Sequence, residues 1–244
     1  MDCVRQGFRM SDITFTNEMK VEYIDHLGSD LDIARAAWVS TMGERADEGD
    51  PARVKGLINM LMRDRHGSPF EQGLLRFRVT APIVVFREHH RHRIASYNEM
   101  SGRYVEMKPN FYVPSRERPL IQIGKPGAYT FEPGTDEQYS NMEYSFRASS
   151  NVAWKNYQYM LNEGLAKEVA RMVLPLNLMS TMIVAMNPRA LMNFLSLRVK
   201  SDDARYPTFP MWEIDQVAQQ YEGFFSTSFP LTWNAFVDNG RVSP

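Results

Sequence analysis

The chain has 244 residues, 43% hydrophobic and 23% charged, with a formal net charge of -1, ordinary usage for a globular protein long enough to bury a sizeable core. A near-zero net charge supplies no global field for non-specific binding to nucleic acid or anionic membrane, so any anion site must be local. One cysteine, Cys3, excludes an intramolecular disulfide and a multi-cysteine zinc cage. No stretch approaches the ~20 apolar residues of a membrane-spanning helix, and the first residues carry no apolar signal-peptide core. The expected setting is cytoplasmic and reducing, with neither membrane nor nucleic acid as a partner.

Residues 1–29 read as short strands and turns. From Asp30 to Ala46, Leu31, Ala34, Arg35, Trp38 and Val39 have helical spacing, with Asp30 as N-cap. Asp50-Pro51 opens a second helix through Val54, Leu57, Ile58 and Leu61 that stops near Gly67-Ser68-Pro69. Leu75 to Val79 alternates with period two and predicts a strand. Pro82 opens an apolar-to-basic helix from Ile83 to Arg93. Ser96, Asn98, Ser101 and Gly102 then predict a loop over 94–103.

Residues 109–135 are rich in Pro and Gly and predict an excursion with a hairpin. A long helix is expected from Asp136 to Glu163, another from Leu165 to Leu174, and a buried strand from Leu178 to Met186. Helices follow at Pro188–Val199 and Trp212–Phe225, with a short one at Trp233–Val237. There is no internal repeat and no low-complexity linker. Helices and strands mix without strict alternation, so the expected fold is α+β over a single domain, 1–244, with helices around a central, mainly antiparallel sheet.

Arg87 to Arg103 holds four arginines, three of the five histidines and two glutamates. Guanidinium groups near a loop carrying Ser101 and the backbone of Gly102 suit an anion: Arg offers a planar fork, the hydroxyl a hydrogen bond, and Gly a close backbone approach. A run of charges is commonly a solvated helix face. Here Ile83, Val84, Val85 and Phe86 lead directly into the cluster, which suggests the rim of a pocket. His89, His90 and His92 do not read as zinc ligands, because no His-Glu-x-x-His pattern occurs and the interleaved arginines repel a cation.

The segment Arg91-His92-Arg93-Ile94-Ala95-Ser96-Tyr97-Asn98-Glu99-Met100-Ser101-Gly102-Arg103 resembles the signature of the flavin-dependent thymidylate synthases, Arg-His-Arg-x-x-Ser-x-Asn-x-x-Ser-x-Arg, at all seven fixed positions. His66-Gly67-Ser68-Pro69-Phe70-Glu71 resembles the family's upstream element. Glu168 to Pro175 resembles its arginine-bearing helix, and Asn187 to Arg198 its C-terminal helix. Similar blocks span roughly residues 30–225.

The resemblance implies conversion of dUMP to dTMP, with methylenetetrahydrofolate as one-carbon donor, FAD as hydride carrier and NADPH as reductant. It also implies a homotetramer with sites shared between subunits. Carried over by residue, it implies Arg91, His92, Arg93 and Ile94 at the flavin or its boundary with the nucleotide. Ser40, His66, Ser68, Glu71, Asn187, Arg189, Asn193 and Leu197 would complete the flavin site. For dUMP it implies Glu88, Arg91, Glu99, Ser101, Gly102, Arg103, Arg171 and Arg198, with Ser101, Gly102, Arg103 and Arg171 at the phosphate. Arg198 near the uracil, Arg91 and Ser101 form the catalytic set, Ser101 fitting a phosphate-binding hydroxyl better than a nucleophile because no base is committed to it. No metal is implied. The other kind of thymidylate synthase needs a cysteine nucleophile, and Cys3 sits in no such motif.

The later helices also speak for themselves. Leu165, Val169, Met172 and Val173 make an apolar stripe from which Arg171 projects away. On 188–199, Arg189 and Asn193 lie together while Arg198 points about 180° from Arg189 at 100° per residue, so one apolar helix offers polar groups to two partners. Three departures from the family pattern stand out: Glu88 replaces a frequent Gln, Gln72 a frequent His, and Lys200 to Pro210 looks longer.

Overall fold

A computed structural model describes residues 13–125 and 127–244; Cys3, Pro126 and the readings made on residues 1–12 lie outside it. The first half contains β1 (Thr14–Thr16), β2 (Lys20–Leu27), α1 (Asp30–Met42), α2 (Val54–Arg63), β3 (Leu74–Pro82), α3 (Ile83–His89), β4 (Ser96–Glu99) and β5 (Asn110–Tyr112). The second half contains β6 (Ile121–Lys125), β7 (Ala128–Glu132), α4 (Asp136–Asn162), α5 (Lys167–Ala170), β8 (Met179–Met186), α6 (Pro188–Arg198), α7 (Trp212–Ser228) and α8 (Pro230–Asp238).

Alternation in β3 buries Leu75, Phe77, Val79 and Ala81 and exposes Leu74, Arg76 and Arg78. Such a strand needs a core on one side only, as antiparallel sheets allow. β3 sits inside a four-stranded sheet of order β2-β3-β8-β4, antiparallel throughout. Its buried face packs on α1, α2, α6, α7 and α8 around Phe77, Val184, Phe194, Tyr221 and Phe236. The α+β expectation and the antiparallel sheet are borne out. A second cluster, Phe111, Trp154, Tyr157, Ala170 and Leu178, seats α4 and the parallel pair β1–β5.

The expected hairpin is β6–β7. It folds toward the 200–210 stretch, and the two excursions enclose a cavity of about 410 Å³ lined by Phe131, Phe209, Trp212 and Lys200. The buried pair Arg118–Glu213, at 2.9 Å, fastens that corner.

Several local expectations are corrected. Ser29, not Asp30, caps α1 by accepting from Asp32 N. Asp30 is buried because it caps a different helix: its carboxylate accepts from Leu231 N at 2.8 Å, Thr232 N at 3.0 Å and Thr232 Oγ1 at 2.7 Å. The helix expected over 30–46 ends at Met42, followed by a 3-10 turn from Gly43. That expected over 165–174 is one turn of α5 and a 3-10 turn, Arg171–Val173. Its apolar stripe faces no core; Leu165, Val169, Met172 and Val173 are all exposed, Met172 by 75%.

Candidate functional site

The arginine-rich segment takes its shape from one phenol. α3 ends at His89 rather than running to Arg93, because the Tyr97 hydroxyl bonds the His89 carbonyl at 2.8 Å and the His92 carbonyl at 2.9 Å. His92 N also donates to His89 O at 2.9 Å, closing a tight turn. The chain then reverses, and Ser96–Glu99, expected as loop, pairs with β8 as β4. Burial pushes the Tyr97 phenol up to about 12, so it remains a donor at neutral pH.

This turn carries His92 to Arg198, at the end of α6. Arg198 Nε donates to His92 Nε2 at 3.0 Å, and its Nη1 pairs with Glu88. An acceptor Nε2 requires a neutral imidazole protonated at Nδ1. Burial first, and the Arg198 charge second, bring His92 down to about 4. His92 and His89 both pack edge-on against Phe194, at 4.9 and 4.7 Å. His89 is fully buried with Nε2 3.0 Å from the Tyr221 hydroxyl; desolvation brings it down to about 3.

On the other side of His92 lies a cavity of about 480 Å³ lined by Arg65, Glu71, Arg91, His92, Arg93, Ile94, Asn187, Arg189, Ala190, Asn193, Ser243 and Pro244. Eight residues carried over for the flavin, Glu71, Arg91, His92, Arg93, Ile94, Asn187, Arg189 and Asn193, therefore line one cavity. The sequence order explains how: Asn187 caps α6 by accepting from Ala190 N at 2.7 Å, and Arg189 and Asn193 follow one turn apart. Arg189 lies flat over Gly67, where a Cβ would stand 2.5 Å from its Nε, and pairs with Glu71. Arg91, Arg93 and Arg189, with Asn187, Asn193 and Glu71 beside them, suit an anionic dinucleotide such as a flavin adenine dinucleotide.

A third group gathers beside β4. Ser101 Oγ accepts from Arg103 N at 3.3 Å, and Arg103 pairs with Glu168 at 2.9 Å. Gly102 is buried under Arg171; a Cβ there would meet Met107 Sδ at 3.0 Å and Arg171 Cδ at 3.1 Å. Arg171 is exposed and has no ion-pair partner among the described residues. Ser180 Oγ donates to Glu99 at 3.0 Å. Local glycine, hydroxyl and two cations thus form a second anion-binding surface, separate from the cavity.

Ser40, His66, Ser68 and Leu197 are exposed and do not line that cavity. Arg189 and Arg198 do serve different partners, but His92 touches both regions and joins them. Sequence reasoning missed Arg65, Tyr97, Ser243 and Pro244. Only Tyr97 carried a signal, being the aromatic inside the motif. Among the described residues no cluster of His, Cys, Asp or Glu could hold a metal ion, and no helix is long and apolar enough to cross a membrane.

The family model described as thymidylate synthase complementing protein matches residues 22–231. A flavin-dependent thymidylate synthase of Tropheryma whipplei is 48% identical over 239 residues, covering 97% of this chain and 100% of the relative. The chain belongs to the flavin-dependent thymidylate synthase family. A Streptomyces avermitilis member is 48% identical over 235 residues, covering 95% of this chain and 96% of its own. Among solved structures, a UMP/dUMP methylase, PolB, from Streptomyces cacaoi bound with 5-Br dUMP superposes with a TM-score of 0.90 at 44% identity. It covers 95% of this chain and 100% of that one.

Proposed function

We propose that this chain, as one catalytic domain over 1–244, converts dUMP to dTMP with methylenetetrahydrofolate as one-carbon donor and NADPH as reductant, in the cytoplasm. The observation that carries this reading is the convergence on His92 of a cationic cavity and of Arg198, a guanidinium pinned by Glu88. FAD, when bound, would supply the hydride chemistry that reduces the one-carbon unit to a methyl group, with NADPH as the electron source and tetrahydrofolate as the folate product.

The chain's own residues do the holding and the polarising. Ser101, the Gly102 backbone, Arg103 and Arg171 grip the phosphate of dUMP, while Glu88 and Glu99 serve its nucleoside. Arg198 points at the uracil and stabilises negative charge as it develops on the ring. The neutral His92 accepts from Arg198 and keeps that cation aimed. Arg91, Arg93, Ile94, Asn187, Arg189, Asn193 and Glu71 hold the flavin. Arg91 stands at its boundary with the nucleotide. No enzyme cysteine adds to the ring.

Ser40, His66, Ser68 and Leu197 complete the flavin site from other subunits of a homotetramer. The exposed apolar stripe Leu165, Val169, Met172 and Val173, beside Arg171, supports this assembly: an uncovered apolar face next to a ligand-binding arginine fits burial by a partner. UMP is a second candidate substrate, supported by the 44% identity to a protein described as a UMP/dUMP methylase. Competition between UMP and dUMP in an assay of product nucleotides separates the two; exclusive formation of dTMP eliminates the ribonucleotide.

A further inference from the structure

Among the described residues, the non-glycine positions with positive φ are Arg65, at 61°, and Arg241, at 56°. A left-handed backbone is costly for a side chain with a Cβ and persists where surrounding contacts impose it. The two residues lie far apart in sequence, yet both serve one contact. Arg241 follows Gly240, also left-handed at 77°, and turns the chain sharply after α8. Its guanidinium is buried, pairs with Glu222, and stands 5.4 Å from the rings of Trp233 and Phe236. The turn is therefore anchored in the core.

Beyond this anchor the chain enters the cationic cavity. Arg65 Nη2 donates to Ser243 O at 3.0 Å, Ser243 Oγ donates to Arg189 O at 3.1 Å, and Arg189 Nε donates to Pro244 O at 2.8 Å. Pro244 is buried against the cavity that Ser243 also lines. Arg189 is thus fixed on three sides, by Gly67 below, Glu71 at one end and Pro244 at its Nε. Arg189 lines the cavity, and a guanidinium has five N–H donors, more than these contacts use. Without the Pro244 carbonyl, this long, half-buried side chain would sample more rotamers and lose entropy on every binding event.

We propose that residues 241–244 are a strap that orients Arg189 and forms part of the cofactor-binding wall, with Arg65 as its clasp. Ser243, Pro244 and Arg65 are positioning residues: they act on the cofactor through Arg189. The inference rests on the flavin reading above for its ligand, but the clasp is testable without any ligand.

The test removes Ser243 and Pro244, alone and together with Arg65→Gly, a change that also relieves the left-handed backbone. Hydrogen exchange of the ligand-free protein is followed by mass spectrometry over 65–71 and 187–190, and FAD affinity by fluorescence titration. Removal of the two residues is expected to speed exchange in both segments and weaken FAD binding about tenfold, the loss of one charge-assisted hydrogen bond, with melting temperature nearly unchanged. Arg65→Gly added to the truncation is expected to change nothing more. Unchanged exchange overturns the strap, as does unchanged or tighter FAD binding. Fully additive losses overturn the clasp, since Arg65 would then touch the cofactor itself. A full-length protein that binds no FAD defeats the flavin reading, and the exchange measurement alone then decides the strap.

Discussion

Arg198 Nε and His92 Nε2 stand 3.0 Å apart, donor to acceptor, so the second residue of the Arg91–Arg103 motif is held neutral by an arginine at the end of α6. The bond joins α6 to the turn after α3 and fixes the face that each presents. The folded form resists protonation of His92 first because the ring is buried, and second because a charged ring would stand against the Arg198 cation.

A pH dependence of stability follows. His92 falls from an ordinary 6.5 to about 4, and His89 from 6.5 to about 3. Between those values the unfolded chain binds more protons than the folded one, so stability is full above about pH 6.5 and declines as pH drops toward 4. Melting temperature should fall steadily over that window. In His92→Gln, whose amide oxygen can still accept from Arg198, the decline should be shallower, with the remainder belonging to His89. A variant as steep as the wild type would contradict the assignment.

Arg198→Ala removes the cation proposed to face the uracil and changes no residue that lines the cavity. Tritium release from dUMP labelled at C5 should drop on the order of 10²–10³-fold, the effect of losing one donor to a developing anion, while FAD stays bound. Unchanged release removes Arg198 from the chemistry.

Arg171→Ala should weaken dUMP by about 1.5–3 kcal/mol, the range for hydrogen bonds to charged groups, and leave FAD affinity alone. Gly102→Ala should shift the same constant in the same direction but less, because the new Cβ pushes on the flexible ends of Met107 and Arg171. Calorimetric titration with dUMP reads both; equal affinity in Arg171→Ala sinks the phosphate assignment.

Asp30→Ala strips three hydrogen bonds from the start of α8 and leaves buried donors without partners. Unfolding free energy should fall by about 2–4 kcal/mol, read by chemical denaturation. Asp30→Asn should recover part of the loss, since the amide keeps one acceptor oxygen.

The motif from Arg91 to Arg103 was readable because fixed spacing is a local property. So were the hairpin at 121–132 and the strand β3, each written in turn residues or alternation. What sequence alone misread was decided at a distance. Asp30 looked like a cap for its own helix, but its partners lie some 200 residues on. The helix after Ile83 stops early because a hydroxyl on the next strand takes its last carbonyl. The 165–173 stripe looked like a core face, yet nothing among the described residues covers it. Arg65 gave no signal at all, because its side chain answers to Ser243, 178 residues on.

The central claim is the reaction itself. Purified protein is incubated anaerobically with dUMP, methylenetetrahydrofolate and NADPH, with and without added FAD, and dTMP and folate products are measured. The account predicts dTMP in equal amount with tetrahydrofolate, strictly dependent on flavin. Flavin-independent dTMP, or dihydrofolate as the folate product, would contradict it.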